Sequence, residues 1–111
     1  MLGVNYAGRS LLIIRDLEGA GLDALLRLPA EKVDVLLAPH HGAASANPSD
    51  LAAWCQPDVV IVSTGDRERA RTVQAVYGAD CRALSTANCG AVSVRIAPDG
   101  QLTARGFINI Q

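Results

Sequence analysis

Three observations predict an α/β fold for this chain, with helices flanking a mixed β-sheet. Apolar runs rich in Val, Ile and Leu read as buried strands: Ser10–Ile14, Val33–Ala38 and Asp58–Ser63. Amphipathic segments at helical spacing separate them, and alternating strands and helices place helices on a sheet. Hairpin patterns lie at both ends of the sequence, Leu2–Ile14 and Ala91–Phe107, and add antiparallel strands to the parallel centre.

The 111 residues suit one domain or a piece of one. Half of them are hydrophobic, but the aromatics are confined to Tyr6, Trp54, Tyr77 and Phe107, so Leu, Val, Ile and Ala must build the core. A net charge of −1 gives no global electrostatic case for nucleic-acid binding. No apolar run approaches the roughly 20 residues that span a bilayer, and Met1-Leu2-Gly3-Val4 lacks the basic start of a signal peptide; neither kind of segment is expected. Cys55, Cys81 and Cys89 are widely spaced with no CxxC pair, which argues against a structural zinc knuckle. Cys55 and Cys81 read as buried small hydrophobes, and Cys89, between Asn88 and Gly90, as exposed.

In order, Leu2–Tyr6 and Ser10–Ile14 form a hairpin turned at Ala7-Gly8-Arg9. Its second strand is apolar on both faces and belongs inside a sheet. Leu17–Leu28 reads as a helix through Leu22, Leu25 and Leu26, stopped by Pro29. Val33–Ala38 follows as a strand. A helix then opens with Asn47 as its expected N-cap and Pro48 at its first position, buries Leu51, Trp54 and Cys55, and ends at Pro57. Asp58–Ser63 is a β-branched strand. Arg67–Tyr77 is a helix with Val73, Val76 and Tyr77 inward and Gly78 as its C-cap. Cys81–Thr86 is a short strand and Thr86–Gly90 a turn. Ala91–Ile96 alternates Val92, Val94 and Ile96 with Ser93 and Arg95, a half-buried strand that turns at Pro98-Asp99-Gly100 into Gln101–Phe107.

The chemistry concentrates at strand ends, where α/β proteins place it. Asp34-Val35-Leu36-Leu37-Ala38-Pro39 runs straight into His40-His41-Gly42, two imidazoles beside a residue that lets the backbone turn sharply. Asp16 follows the preceding apolar strand. Neighbouring strand ends share one sheet edge, so a carboxylate and an imidazole would meet there, a donor pair suited to Zn²⁺ or Mn²⁺.

With Ile13-Ile14-Arg15-Asp16 before it, and the Ser63-Thr64-Gly65 and Thr86-Ala87-Asn88-Cys89-Gly90-Ala91-Val92 segments after it, the Val33–Gly42 run resembles the C-terminal half of a metallo-β-lactamase-fold domain. The type is the one found in ComEC-type competence (DNA internalisation) proteins. Roughly residues 4 to 96 take part, and Pro39-His40-His41-Gly42 is the most specific segment. The resemblance implies the second half of an αββα fold, so residues 1–111 are expected to be a single, partial domain. It implies metal-dependent hydrolysis of a phosphodiester such as DNA. Asp16 would be the metal-bridging and catalytic aspartate, His40 the late histidine ligand and His41 the less favoured ligand, with zinc or manganese as cofactor. It also implies a membrane-embedded parent protein at the extracytoplasmic face of a bacterial membrane, or a missing half-domain, as partner.

The sequence departs from the family in three places. The His-x-His-x-Asp-His motif is absent, since both histidines are adjacent. Arg15 stands where the family has glycine before the aspartate. The loop after Ser63-Thr64-Gly65 reads Asp66-Arg67-Glu68-Arg69, with no histidine. Since a catalytic zinc uses about three protein ligands and a water, this segment is expected to be inactive alone. The alternative is a non-catalytic α/β binding or structural module, docking on a partner or a second copy through the sheet face that a halved fold would leave uncovered. A flavodoxin-like or receiver-like domain would need a paired acidic residue and a phosphate-binding glycine loop, and the sequence has neither.

Overall fold

The computed structural model describes residues 2–14, 19–43 and 47–107, and of Leu2 and His40 the backbone alone. Asp16 with Arg15, the Leu17 start of the first expected helix, Glu18 and the 44–46 stretch of the small-residue loop lie outside the described residues.

The elements run β1 (Leu2–Tyr6), β2 (Arg9–Ile13), α1 (Ala20–Leu26), β3 (Val35–Leu37), a 3₁₀ turn (Pro39–Gly42), α2 (Ser49–Cys55), β4 (Val59–Val62), α3 (Arg67–Tyr77), β5 (Arg82–Ser85), α4 (Thr86–Cys89), β6 (Val92–Ile96) and β7 (Leu102–Gly106). The main sheet has the order β1-β2-β3-β4-β5. β1 pairs antiparallel with β2, and every later pair is parallel. The fold is therefore α/β with a mixed sheet and flanking helices, as the alternation of elements predicts.

Strand order equals chain order in the parallel part, so each of α1, α2 and α3 crosses between adjacent strands and all three return over one face. The period-2 alternation of side chains then divides the core in two. Leu12, Leu36, Val60 and Val62 face the helices and pack with Leu22, Leu25, Leu51, Trp54, Val73 and Tyr77. Val35, Val59 and Leu84 face the other way. That second face is not left bare, contrary to the expectation for a halved fold. The β6–β7 hairpin lies over it and contributes Ala104 with Val92, Val94 and Leu102. Apolar side chains on both faces of β3 and β4 require cover on both sides, and the hairpin supplies the second one.

Two local expectations are corrected. Asn47 does not cap α2. Pro48 occupies the N-cap position, no side chain caps that end, and the Asn47 amide is drawn inward by tertiary partners. Cys89 is buried, not exposed. It ends the one-turn helix α4, where the Ser85 hydroxyl accepts from the Asn88 amide, and this turn rotates Cys89 onto Val35, Val59 and Leu84. Among the described residues, no helix is long and apolar enough to cross a membrane.

Candidate functional site at the strand-end cleft

The C-terminal ends of the parallel strands lie on one edge, and the His-His-Gly turn is built there from the backbone upward. β3 hands over through Ala38, whose amide donates to Ile61 O at 2.9 Å. Pro39 has no N–H to extend the ladder and is fully buried, so the chain leaves the sheet there. The 3₁₀ turn follows, with His41 at φ 54° and Gly42 at φ 82°. A left-handed conformation is uncommon outside glycine and costs on the order of 1 kcal/mol or more, so surrounding structure must hold His41 in it.

Asn47 supplies much of that hold. Its Nδ2 donates to Pro39 O at 3.0 Å and to Ala43 O at 2.8 Å, spanning the turn from one end to the other. Its Oδ1 accepts from the Tyr77 hydroxyl at 2.8 Å, which ties the turn to the last residue of α3. Burial pushes the Tyr77 phenol well above its ordinary value, so it stays a donor. Gly42 supplies the rest. A Cβ there would lie 2.8 Å from Val62 Cγ1, 3.0 Å from Val73 Cγ2 and 3.3 Å from Arg69 Cγ, so glycine is required by space as well as by φ.

The turn delivers His41 to the end of β4. Its Nδ1 lies 2.8 Å from Ser63 O. A carbonyl oxygen only accepts, so Nδ1 carries a proton, and the tautomer this bond selects has its lone pair on Nε2. The next strand end is latched from the other side: Thr64 N donates to Thr86 Oγ1 at 2.9 Å, and that hydroxyl donates to Thr64 O at 2.8 Å. Asp66 then caps α3 by accepting from the Glu68 amide at 2.9 Å. These groups border an open cleft of about 590 Å³ lined by His41, Ser63, Thr64, Gly65, Arg69 and Thr86. A concavity of similar size, about 600 Å³, lies on the outer face of the β6–β7 hairpin, but its lining carries no imidazole, thiol or carboxylate.

Of the residues expected to form the site, His41 lines the cleft. His40 has its backbone in the same turn, and its side chain lies outside the described residues. Asp16 lies outside the described residues, and the His41 ring is anchored at the end of β4. Among the described residues, no three His, Cys, Asp or Glu side chains cluster as a metal site would. The thiols add no donor at neutral pH where burial opposes the thiolate: it pushes Cys55 up to about 12 and Cys81 up to about 11. The donor chemistry on view is therefore one imidazole held as metal-ligating histidines usually are, with the far nitrogen on a backbone carbonyl. Sequence reasoning missed the Asn47–Tyr77 clamp and the Thr64–Thr86 latch, because both join residues far apart in the chain.

Fold and cleft together define a small α/β domain with a polar site at the carboxyl ends of its parallel strands. Comparison with known protein families, curated proteins and solved structures finds no match.

Proposed function

We propose that this chain is part of a metal-dependent hydrolase domain acting on phosphodiesters, of the metallo-β-lactamase kind in ComEC-type DNA-uptake proteins. The observation that supports it is the His-His-Gly turn at the end of a parallel strand, with the His41 Nδ1–H fixed on Ser63 O and Nε2 left open. In this reading Asp16, His40 and His41 are the donors this chain offers to zinc or manganese. When bound, the metal supplies hydroxide near neutral pH and polarises the scissile phosphate. The chain's own contribution is orientation: Ser63 O fixes the tautomer and plane of His41, and Asn47 and Gly42 hold the turn from which it projects. Three donors do not make a two-metal centre, so the reading requires a complementary half-domain carrying the remaining ligands, with DNA as substrate of the whole.

Zinc titration of the purified chain by calorimetry, alongside His41→Ala and Asp16→Ala, tests this. The expected result is weak uptake by the parent chain that both variants lose. No uptake by the parent chain, or equal uptake by all three proteins, would overturn the proposal.

A second reading, a non-catalytic α/β module, draws on the β6–β7 hairpin. The chain carries its own cover for the second sheet face, as a self-sufficient small domain would.

A further inference from the structure

We infer that Arg69 makes the strand-end cleft an oxyanion site, a seat for the phosphate of a phosphodiester that forms without a metal. The inference deepens the reading above, and rests on it for the ligand being an ester of phosphate.

Three arginines lie close together on α3, and the structure separates them. Arg67 is exposed. Arg71 is exposed and spends its charge on Glu68 at 3.1 Å. Arg69 is half-buried and sits one helical turn before Val73, on the stripe that packs into the core. Its stem crosses the turn at Gly42, where the missing side chain leaves room for Arg69 Cγ and Val73 Cγ2 together. Arg69 thus lines the cleft that holds His41, and no carboxylate or carbonyl partners its guanidinium among the described residues.

The surrounding charges leave that cation free. Arg69 also lines the adjoining groove with Asp66 and Glu68, where Asp66 caps α3, Glu68 pairs with Arg71 and neither carboxylate forms an ion pair with Arg69. Among the described residues, the cleft lining contains no carboxylate. Its hydroxyl donors are Ser63 and Thr64, since the Thr86 hydroxyl proton is committed to the latch while Thr64 Oγ1 accepts from the Asp66 amide at 3.1 Å and keeps its own proton. The Glu68 amide of the first turn of α3 is taken up by the Asp66 side chain, and the cation in the cleft lining is Arg69. A planar guanidinium beside hydroxyl donors matches a tetrahedral oxyanion, which a guanidinium fork grips through two parallel N–H···O bonds. A resident cation, with no carboxylate among the described lining residues, favours an anion. The open side of the cleft leaves room for the ester groups on either side of a diester phosphate.

The test is titration of the metal-free chain, in EDTA, with inorganic phosphate and with the thymidine dinucleotide TpT, followed by backbone amide shifts. Both ligands are expected to move the amides of His41, Thr64 and Gly65. Arg69→Met keeps the stem against Gly42 and should weaken binding by about tenfold or more, while Arg71→Met should change it by less than about twofold. If Arg69→Met does not fold, Arg69→Lys serves instead, with a smaller loss expected because charge remains and the fork is gone. Still cleft amides, equal weakening by the Arg69 and Arg71 variants, or phosphate binding without dinucleotide binding would each overturn the inference. Zinc uptake measured on the same samples separates the two proposals. Dinucleotide binding without zinc uptake removes the metal reading and leaves the anion site, and zinc uptake without dinucleotide binding does the reverse.

Discussion

Replacing Asn47 by alanine should cost far more than the loss of a helix cap, and the difference can be worked out bond by bond. A lost N-cap costs about 1 kcal/mol. Asn47 instead is 2% exposed and makes three hydrogen bonds: to Pro39 O, to Ala43 O and from the Tyr77 hydroxyl. Ala43 is half-buried, so its carbonyl regains water and that bond is worth roughly 0.5–1 kcal/mol. Pro39 O and the Tyr77 hydroxyl are left orphaned in the core, at about 1–2 kcal/mol each. Asn47→Ala should therefore lose about 3–5 kcal/mol, a large share of the roughly 5–15 kcal/mol that holds a domain folded. Tyr77→Phe should lose about 1–2 kcal/mol, because it leaves only the Asn47 carbonyl without its donor. The double variant should lose less than the sum of the two, since removing both partners relieves an orphaned group; the expected coupling is about 1–2 kcal/mol. Urea unfolding of the four proteins measures every corner of this cycle. A loss near 1 kcal/mol for Asn47→Ala with no coupling to Tyr77 would mean that Asn47 is a local cap after all, and that something else holds the His-His-Gly turn.

Two further predictions concern the turn that frames the cleft and the opposite edge of the sheet. Gly42→Ala combines a positive φ with a Cβ only 2.8 Å from Val62 Cγ1, and should destabilise by about 2–4 kcal/mol, lowering the melting temperature by roughly 10–25 °C; a shift of a degree or two would contradict the crowding. Asp34 is pushed up by partial burial. The Ser10 amide at 2.8 Å, the Arg9 guanidinium at 3.2 Å and the charges of Arg9 and Lys32 outweigh this and hold its carboxyl below the ordinary 3.8. The folded state thus binds this proton less readily than the unfolded chain, so the stabilisation is fully present above the ordinary value and fades as pH falls through the folded one. Asp34→Asn should cost about 1–2 kcal/mol at neutral pH and flatten the acid limb of urea midpoint against pH; an unchanged acid limb would show that Asp34 is not the group responsible.

The elements were legible because two periods carry them. Alternation placed Val92, Val94 and Ile96 on one face of β6, and the Val73–Tyr77 spacing placed α3 against the core. Asn47 was misread because a local rule matched: Asn-Pro before an apolar helix is the pattern of a cap, and nothing nearby in sequence announces Tyr77 as a competing partner. Cys89 was misread for a similar reason. Its neighbours Asn88 and Gly90 signal a turn, yet the Ser85 cap makes that turn helical and directs the thiol inward. The His-His-Gly turn was visible, but the destination of its second imidazole depends on the β3–β4 register, in which Leu37 sits opposite Ile61 and brings Ser63 O within reach. Arg69 could have been singled out, because among Arg67, Arg69 and Arg71 it alone precedes Val73 by one turn.

The hairpin over the second sheet face bears on how any completing half-domain would meet this chain. Leu11, Val35, Val59, Ile61 and Leu84 form an apolar surface that a bare sheet would present to a partner, and β6–β7 already occupies it with Val92, Val94, Leu102 and Ala104. The hairpin's own outer face offers Ser93, Arg95, Thr103 and Arg105, which a dry sheet-on-sheet interface would have to desolvate without the partners that buried charges need. Arg82 also fastens the hairpin to β5 through Ala104 O at 2.8 Å, so peeling it away breaks a specific bond as well as apolar contact. Both faces of the parallel strands are therefore covered, and the strand-end edge remains open. That edge is where the His-His-Gly turn, Ser63 and Arg69 lie, so the surface a complementary half would have to approach is the same one that carries the chemistry.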